Sequence, residues 1–310
     1  MKIATVGKGG SGKTTITGVL ARILAEEGAK ILAVDGDPNP NLALTLGITR
    51  EDADQINYIP PSIMEVKEDA DGKRKLHMTL TEDDLISTYA AKAPGDIDLI
   101  VMGKPADGSA GSGCMCSSHL AVRAVIAEMS GYNEFTLTDM EAGLEHLKRG
   151  TARNVDIMLV VTEAYYRSLE AAARTHLLAK ELEIPHIYVI ANKVKNESDQ
   201  AAIEEFCDKH DMPIIGTVPA EERFEEAERQ GKAPIELLTG EALQGDWVDL
   251  LIQHKREASV NPSGASSPVL ELVPSHHGQT APSEISPDQA VCEPSADADH
   301  QWQPTDVEAA

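Results

Sequence analysis

Short apolar runs alternate along the chain with longer segments that have helical spacing. Seven of these runs are rich in β-branched residues and predict strands, at 2–6, 31–35, 97–102, 135–139, 157–162, 187–191 and 214–218. The runs are almost continuously apolar and lack the alternation of a strand that has one face in water. Strands of this kind are typical of a parallel sheet that is covered on both faces.

The segments between these strands predict helices. After the first strand, apolar residues recur at intervals of three and four from Ile16 to Leu24, and Gly28 follows as a helix stop. Further helices are predicted near 118–130, 168–183, 198–210, 221–231 and 246–256. The alternation of strand and helix predicts an α/β fold with a doubly wound, mostly parallel sheet and helices on both faces.

Residues 50–95 interrupt the alternation. Asp71 and Gly72 indicate a turn, and 74–80 is a further candidate strand. We interpret this part of the chain as an insertion into the α/β domain.

Composition changes near residue 257. The last 54 residues contain 7 Pro, 8 Ser and 9 acidic residues, with no Lys, Arg, Phe or Tyr. Such a segment buries too little apolar surface to offset the entropy lost on ordering. The sequence therefore predicts one folded domain over 1–256 and a disordered, acidic, Pro/Ser-rich tail over 257–310.

Charge and composition exclude several classes of partner. The formal net charge is -24 and aromatic residues make up 4% of the chain, which disfavours binding to nucleic acid and to an anionic membrane surface. No apolar run reaches the roughly 18 residues of a membrane span, and no signal peptide is visible. Four unevenly spaced cysteines do not suit a disulfide framework. We expect a cytoplasmic protein with reduced thiols.

The loop after the first strand has the pattern of a phosphate-binding P-loop. Its residues are, in order, Gly7, Lys8, Gly9, Gly10, Ser11, Gly12, Lys13, Thr14 and Thr15. The loop lies between a predicted strand and a predicted helix, as this motif requires, and its backbone N–H groups can face an anion. We expect Lys13 to contact the β- and γ-phosphates, Thr14 to ligate Mg²⁺ and Thr15 to contact the α-phosphate. The folded region 1–256 is thus predicted to be a P-loop ATPase domain.

A second lysine, Lys8, distinguishes this loop from an ordinary P-loop, which needs only Lys13. The Lys-Gly-Gly-x-Gly-Lys-Thr-Thr pattern resembles the deviant Walker A loop of the MinD/ParA and nitrogenase-iron-protein ATPases. The resemblance implies that Lys8 crosses the interface of a homodimer. There it stabilises charge on the partner's nucleotide, as an arginine finger does.

Two acidic motifs follow strands. Asp35 and Asp37 stand at the end of the second strand, where a carboxylate lies beside the phosphates in such a sheet. By the same resemblance, Asp37 is the switch I carboxylate that positions the attacking water, and Asp35 lies nearer to Mg²⁺. Asp139, followed by Gly143, resembles a Walker B and switch II element. Asp139 is expected to hold the Mg²⁺ shell, and the Gly143 amide to sense the γ-phosphate.

The loop after strand 187–191 bears on the choice of base. Asn192 and Lys193 match the start of the Asn-Lys-x-Asp loop that reads guanine in GTPases, but the fourth position is Lys195. The carboxylate that pairs with the guanine amino group is missing, which favours ATP over GTP. We expect Asn192 to contact the base edge. Pro219, after Val218, matches the loop that covers the adenine ring in this group.

Cys114 and Cys116 lie in a Gly/Ser-rich loop after strand 97–102. Two thiolates do not fill a four-coordinate site, and two inert thiols are the alternative interpretation. In a two-fold dimer with this loop near its axis, two copies would supply four thiolates. That set suits Zn²⁺ as a tetrahedron or Ni²⁺ as a square plane. Cys207 and Cys292 are interpreted as incidental thiols.

The stretch 139–152, together with the Cys-x-Cys loop and the motif at 33–38, closely resembles the CooC family. Its members are the ATPases of nickel insertion into carbon monoxide dehydrogenase. The resemblance covers about residues 1–250 and is most specific at 141–152. It implies the cofactors ATP, Mg²⁺ and Ni²⁺ or Zn²⁺, a homodimer, and a nickel enzyme as client, carbon monoxide dehydrogenase being the one expected. Residues 55–95 match poorly, which bears on partner recognition, and the acidic tail is an addition to the family pattern.

Two other functions remain open at this point. One is that of a MinD/ParA-type positioning or partition ATPase, which acts as a spatial switch and needs a basic DNA-binding face or a C-terminal amphipathic membrane helix. Neither is visible in the sequence. An iron–sulfur ATPase similar to the nitrogenase iron protein has widely separated cysteines, one of them near switch II, whereas 139–150 contain no cysteine.

Overall fold

The computed structural model describes residues 1–68, 74–102, 116–129, 133–144, 147, 152–237, 248, 251–252 and 270–271. Its strands are β1 (Lys2–Gly7), β2 (Ile31–Gly36), β3 (Tyr58–Ile59), β4 (Met64–Glu68), β5 (Arg74–Met78), β6 (Ala91–Ala93), β7 (Ile97–Met102), β8 (Phe135–Met140), β9 (Ile157–Thr162), β10 (His186–Val194), β11 (Ile214–Pro219) and β12 (Leu270–Glu271). Its helices are α1 (Lys13–Glu26), α2 (Leu42–Leu46), α3 (Arg50–Ala53), α4 (Glu82–Tyr89), α5 (Cys116–Glu128), α6 (Tyr166–Glu181), α7 (Glu197–Lys209), α8 (Glu222–Gln230) and α9 (Pro234–Leu237).

The large sheet has nine strands among the described residues and follows the order β11-β10-β9-β1-β8-β2-β7-β3, with β6 also paired to β7. Every pair is parallel except β6 with β7. The doubly wound, mostly parallel sheet predicted from the sequence is confirmed. All seven predicted strands are present, with shifts of up to three residues at their ends. Strands β3 and β6 were not predicted, because runs of two and three residues are too short to show a period.

Helices cover both faces of this sheet. On one face, α1 and α2 pack against strand residues such as Ile3 and Ala33. On the other face, α4, α5, α6 and α7 pack against the alternate residues, such as Ala4 and Leu32. Neighbouring strand residues thus belong to opposite cores, which explains why the strands are apolar throughout. No helix in the described ranges is long and apolar enough to cross a membrane.

The interruption at 50–95 contains an antiparallel hairpin of β4 and β5. The predicted strand at 74–80 is therefore confirmed as β5, while the turn expected at 71–72 lies outside the described residues. Strand β12 adds to the other edge of β5 and completes a separate three-stranded sheet.

Two predictions fall largely outside the described residues. Of the predicted helix at 246–256, only Val248, Leu251 and Ile252 are described, and all three are helical. Of the predicted disordered tail, only β12 is described. The boundary at residue 257 therefore stays a prediction.

Candidate functional site

The P-loop joins the centre of the sheet to the first helix. Strand β1 ends at Gly7, α1 begins at Lys13, and Gly10 and Gly12 take left-handed φ angles of 83° and 93°. The loop turns tightly, because the Ser11 N–H donates to the Lys8 carbonyl over 3.1 Å. A side chain at Gly12 would be strained by that φ angle and would also collide with the Asn192 amide. Glycine is therefore required at this position.

A buried carboxylate pair lies beside the loop. Parallel register places Asp35 of β2 opposite Asp139 of β8, and both residues are at most 1% exposed. The Thr14 hydroxyl donates to Asp139 Oδ2 over 2.5 Å. Asp139 Oδ1 is buried without a hydrogen-bond partner among the described residues. A hydroxyl and carboxylate oxygens are the ligands that Mg²⁺ prefers, so Thr14 and Asp139 fit the predicted magnesium site.

Electrostatics at this pair favour a bound cation. Burial raises the pKa of the Asp139 carboxyl, and the charge of Asp35 raises it further, against the effects of Thr14 and Lys13. Burial likewise raises the pKa of Asp35, although the backbone N–H groups of Leu42 and Asp37 donate to it. Two adjacent buried carboxylates repel each other when both are ionised. A divalent cation would relieve that repulsion.

The two switch positions follow β2 and β8, which lie on the same side of β1 in the sheet. Asp37 follows β2, is half-buried, and its Oδ1 accepts the Asn39 N–H over 2.8 Å. Gly143 follows β8 with a φ angle of 105°, and a Cβ there would meet open space. A Cβ at Gly9 would lie 3.7 Å from the Cβ of Ala142, so the segment after β8 is close to the P-loop. Their roles toward water and the γ-phosphate stay predictions.

The two lysines of the loop have different environments. Lys13 is 7% exposed at the start of α1. The Lys8 ammonium instead lies 3.1 Å from the Tyr165 hydroxyl and 5.0 Å from the centre of its ring. A cation over an aromatic face is weakly held at an exposed site. Lys8 is therefore more exposed than Lys13, and its contact with the partly exposed Tyr165 is a weak one.

The residues after β10 hold the P-loop backbone. Asn192, which is 6% exposed, donates from Nδ2 to the Ser11 carbonyl over 2.7 Å. Lys193 has a left-handed φ of 56° and donates from Nζ to the Gly10 carbonyl over 2.6 Å. Sequence reasoning assigned Asn192 to the base and missed this contact, since no local pattern reports a bond across 181 residues. The base contact of Asn192 stays a prediction.

Removing the Asn192 amide should loosen the P-loop. Asn192→Ala leaves the carbonyl of fully buried Ser11 without its donor, which costs about 1–3 kcal/mol of the free energy of unfolding. Denaturant unfolding measures this change, and an ATP titration should show weaker binding. Lys193→Ala is the matched control, because its half-exposed ammonium is screened by solvent and its loss should cost less than about 1 kcal/mol. If the two variants lost equal free energy of unfolding, the hydrogen bond from Asn192 to Ser11 would not be what holds the P-loop.

The structure says less about the remaining predicted positions, which are Pro219 and the cysteines. Pro219 ends β11 and is exposed, opposite Val194 in register. Cys114 lies outside the described residues, and Cys116 is the first residue of α5. Within the described residues, no group of three or more His, Cys, Asp or Glu side chains is arranged to hold a metal. Cys207 is fully buried, and burial raises the pKa of its thiol to about 11, as expected of a packed, unreactive cysteine.

The fold and the loop define a P-loop nucleotide-binding protein. The profile of the CobQ/CobB/MinD/ParA nucleotide binding domain matches residues 2–235, which is more than half of the chain. The chain therefore belongs to this family of P-loop ATPases.

Within this family, the chain is similar to CooC and to archaeal ATP-binding proteins. The chain is 36% identical to the carbon monoxide dehydrogenase accessory protein CooC of Rhodospirillum rubrum over 236 residues, covering 74% of this chain and 88% of that protein. It is 38% identical to an uncharacterized ATP-binding protein of Methanocaldococcus jannaschii, covering 74% and 89%. The similarity to CooC that the motifs indicated is thus confirmed.

Solved structures agree on the fold. MinD from Pyrococcus horikoshii, in complex with Mg-ADP, matches with a TM-score of 0.58 at 21% identity, covering 85% of this chain and 97% of that one. An ATP complex of a McdA variant from Cyanothece matches with a TM-score of 0.59 at 19% identity, covering 83% and 96%. At these identities the likeness concerns the fold alone.

Proposed function

We propose that this protein is a magnesium-dependent ATPase that works as a homodimer and inserts nickel into a client enzyme of the carbon monoxide dehydrogenase class. The observation that carries the proposal is the 36% identity to CooC over 236 residues. The Cys-x-Cys motif of Cys114 and Cys116 gives this chain a metal-binding chemistry that an ATPase site alone does not need.

The described residues support the ATPase half of the proposal. Lys13 and the backbone of the P-loop would bind the phosphates, and Thr14 and Asp139 would hold Mg²⁺. The ion would neutralise charge on the phosphate oxygens during transfer. Asp37 is half-buried at the edge of the same site and would orient the attacking water. Asn192 and Lys193 hold the loop in shape, so less reorganisation is needed when the nucleotide binds.

Lys8 supports the dimeric half of the proposal. Its ammonium contacts Tyr165, while the buried lysine of the same loop is Lys13. Lys13 would therefore serve as the phosphate-binding lysine of its own chain, and Lys8 is not needed for that role. In a dimer that faces P-loop to P-loop, Lys8 would leave Tyr165 and contact the partner's nucleotide, which makes hydrolysis depend on dimerisation.

Nickel is the cargo in this proposal. Cys114 and Cys116 follow β7, whose neighbour β2 ends in the Asp35 and Asp37 motif. Two copies of the motif would supply the four thiolates that one thiol-bound Ni²⁺ or Zn²⁺ requires. Nucleotide state and metal binding would then act on the same dimer.

The fold also suits a second function, that of a MinD/ParA-type regulatory or partition ATPase with a different client. The observation in its favour is the likeness to MinD and McdA structures. The two functions differ in what the cysteines do, because only nickel delivery needs both thiols.

Activation of a nickel-deficient carbon monoxide dehydrogenase tests the proposed function. With Ni²⁺ and ATP present, wild-type protein should raise the client's activity, and the Cys114→Ser, Cys116→Ser double variant should not. Cys207→Ser is the matched control, since its thiol is fully buried and is not part of the Cys-x-Cys motif. Activation that proceeds equally without ATP, or with the double variant, would contradict the proposed delivery, and no activation by the wild-type protein would favour the regulatory function instead.

A further inference from the structure

The acidic tail contains a single apolar run with the pattern of a strand. Residues 269–273 read Val-Leu-Glu-Leu-Val, and Pro268 and Pro274 stand on either side. Val and Leu in such a run favour extended structure, and prolines are typical of strand ends. The surrounding tail is rich in Pro, Ser and acidic residues. This run is therefore the part of the tail best suited to pair with a sheet.

The structure pairs two residues of this run with the hairpin. Strand β12 lies antiparallel to β5, with Leu270 opposite Leu76 and Glu271 opposite Lys75. On the other side of β5, Val66 of β4 stands opposite Leu76. One row across the three strands is therefore entirely apolar. The neighbouring position pairs an acidic residue with a basic one, and cross-strand pairs of both kinds stabilise a sheet.

Charge complementarity favours the same arrangement. The segment 73–75 reads Lys-Arg-Lys, in a chain whose net charge is -24. The tail has nine acidic residues and no Lys or Arg. A basic strand edge in an acidic protein attracts an acidic segment, most strongly at low salt.

The hairpin is firmly attached to the body of the protein. The Met78 N–H donates to Glu128 Oε1 of α5 over 3.0 Å, and Met64 packs against Ala124 and Ala127 of the same helix. Strand β5 is therefore a fixed edge. Without β12, its backbone groups on that side would be open to pairing with another chain.

We propose that the outer edge of β5 is a strand-docking site and that its occupant is the 269–273 segment of the same chain. Docking anchors the acidic tail at one point and closes the edge of a hairpin that rests on α5. The inference does not depend on the proposed ATPase or nickel function, and its test needs neither nucleotide nor metal.

Hydrogen exchange of the full-length protein tests the docking. Leu270→Pro removes a backbone N–H from the apolar run and disfavours its pairing as a strand, so the amides of 74–78 should exchange about tenfold faster than in wild type. Gln279→Pro is the matched control, because it adds a proline to the tail outside the apolar run. Amides of β1 and β8 should be unchanged in both variants. Equal exchange of 74–78 in wild type and Leu270→Pro would overturn the proposal.

A charge swap tests the register. Glu271→Lys and Lys75→Glu should each speed exchange of 74–78 by about threefold, and the double variant should restore the wild-type rate. Failure of the double variant to recover would refute the pairing of these two positions. The experiment is repeated over a tenfold range of protein concentration, about 2 to 20 μM. Protection that increases with concentration would assign the edge to a second copy and overturn docking within one chain.

Discussion

Replacing Lys8 with alanine is expected to abolish ATP hydrolysis while leaving ATP binding to the single chain nearly unchanged. In the structure the Lys8 ammonium contacts Tyr165, and Lys13 is the buried lysine at the start of α1. If Lys8 acts on the partner's nucleotide, its loss removes charge stabilisation only in the dimer. Residues that act in this way typically contribute 10³–10⁵-fold, so we expect a loss of about 10³-fold or more in kcat.

Two lysine variants serve as comparisons in the same assay. Lys13→Ala should lose nucleotide affinity itself, because this lysine belongs to the chain's own phosphate site. Lys67→Ala, on the exposed face of β4, should behave as wild type. Equal rates of ATP hydrolysis by the wild-type protein and Lys8→Ala would contradict the proposed role of Lys8.

Mixing two inactive variants distinguishes action on the partner from action within one chain. Asp37→Ala should bind ATP without hydrolysing it, and so should Lys8→Ala. In a mixed dimer, the Lys8→Ala chain has an intact Asp37 and receives Lys8 from its partner. Random pairing then restores about a quarter of wild-type activity, because half of the dimers each contain one working site. No recovery on mixing would place Lys8 in its own chain's site.

Loss of both cysteines is expected to remove metal-induced dimerisation altogether. In the proposed site, Cys114 and Cys116 of two chains share one ion, so metal binding and dimerisation are the same event. Thiols must lose their protons to bind, and metal affinity should therefore weaken as pH falls. By linkage, ATP should raise metal affinity by the factor by which metal raises ATP affinity. Cys114→Ser, Cys116→Ser should keep ATP binding by the monomer.

The fold could be predicted largely from local patterns. The seven long strands and the helices between them each carry their own apolar period, and the parallel sheet follows from strands that are apolar throughout. The P-loop could also be predicted from the sequence, because its glycines and Lys13 lie within a few residues of each other. The role of Asp139 near Mg²⁺ was inferred from its resemblance to a Walker B element, and the structure places its carboxylate beside the Thr14 hydroxyl.

Contacts between distant residues could not be read in the same way. Two such contacts join residues more than 150 positions apart: the hydrogen bond from Asn192 to the Ser11 carbonyl and the contact of Lys8 with Tyr165. The prediction for the tail used its average composition, which does not reveal the four apolar residues in the short run 269–273. A strand that depends on a partner edge gives only a weak signal in its own sequence.

Sedimentation combined with metal analysis tests the central claim most directly. The full-length protein is purified without oxygen, titrated with Ni²⁺ or Zn²⁺, and its mass and bound metal are measured together. We predict one metal ion per two chains and a monomer-to-dimer shift that Cys114→Ser, Cys116→Ser abolishes. One metal ion per single chain, or a dimer fraction that does not change with metal, would contradict the shared site.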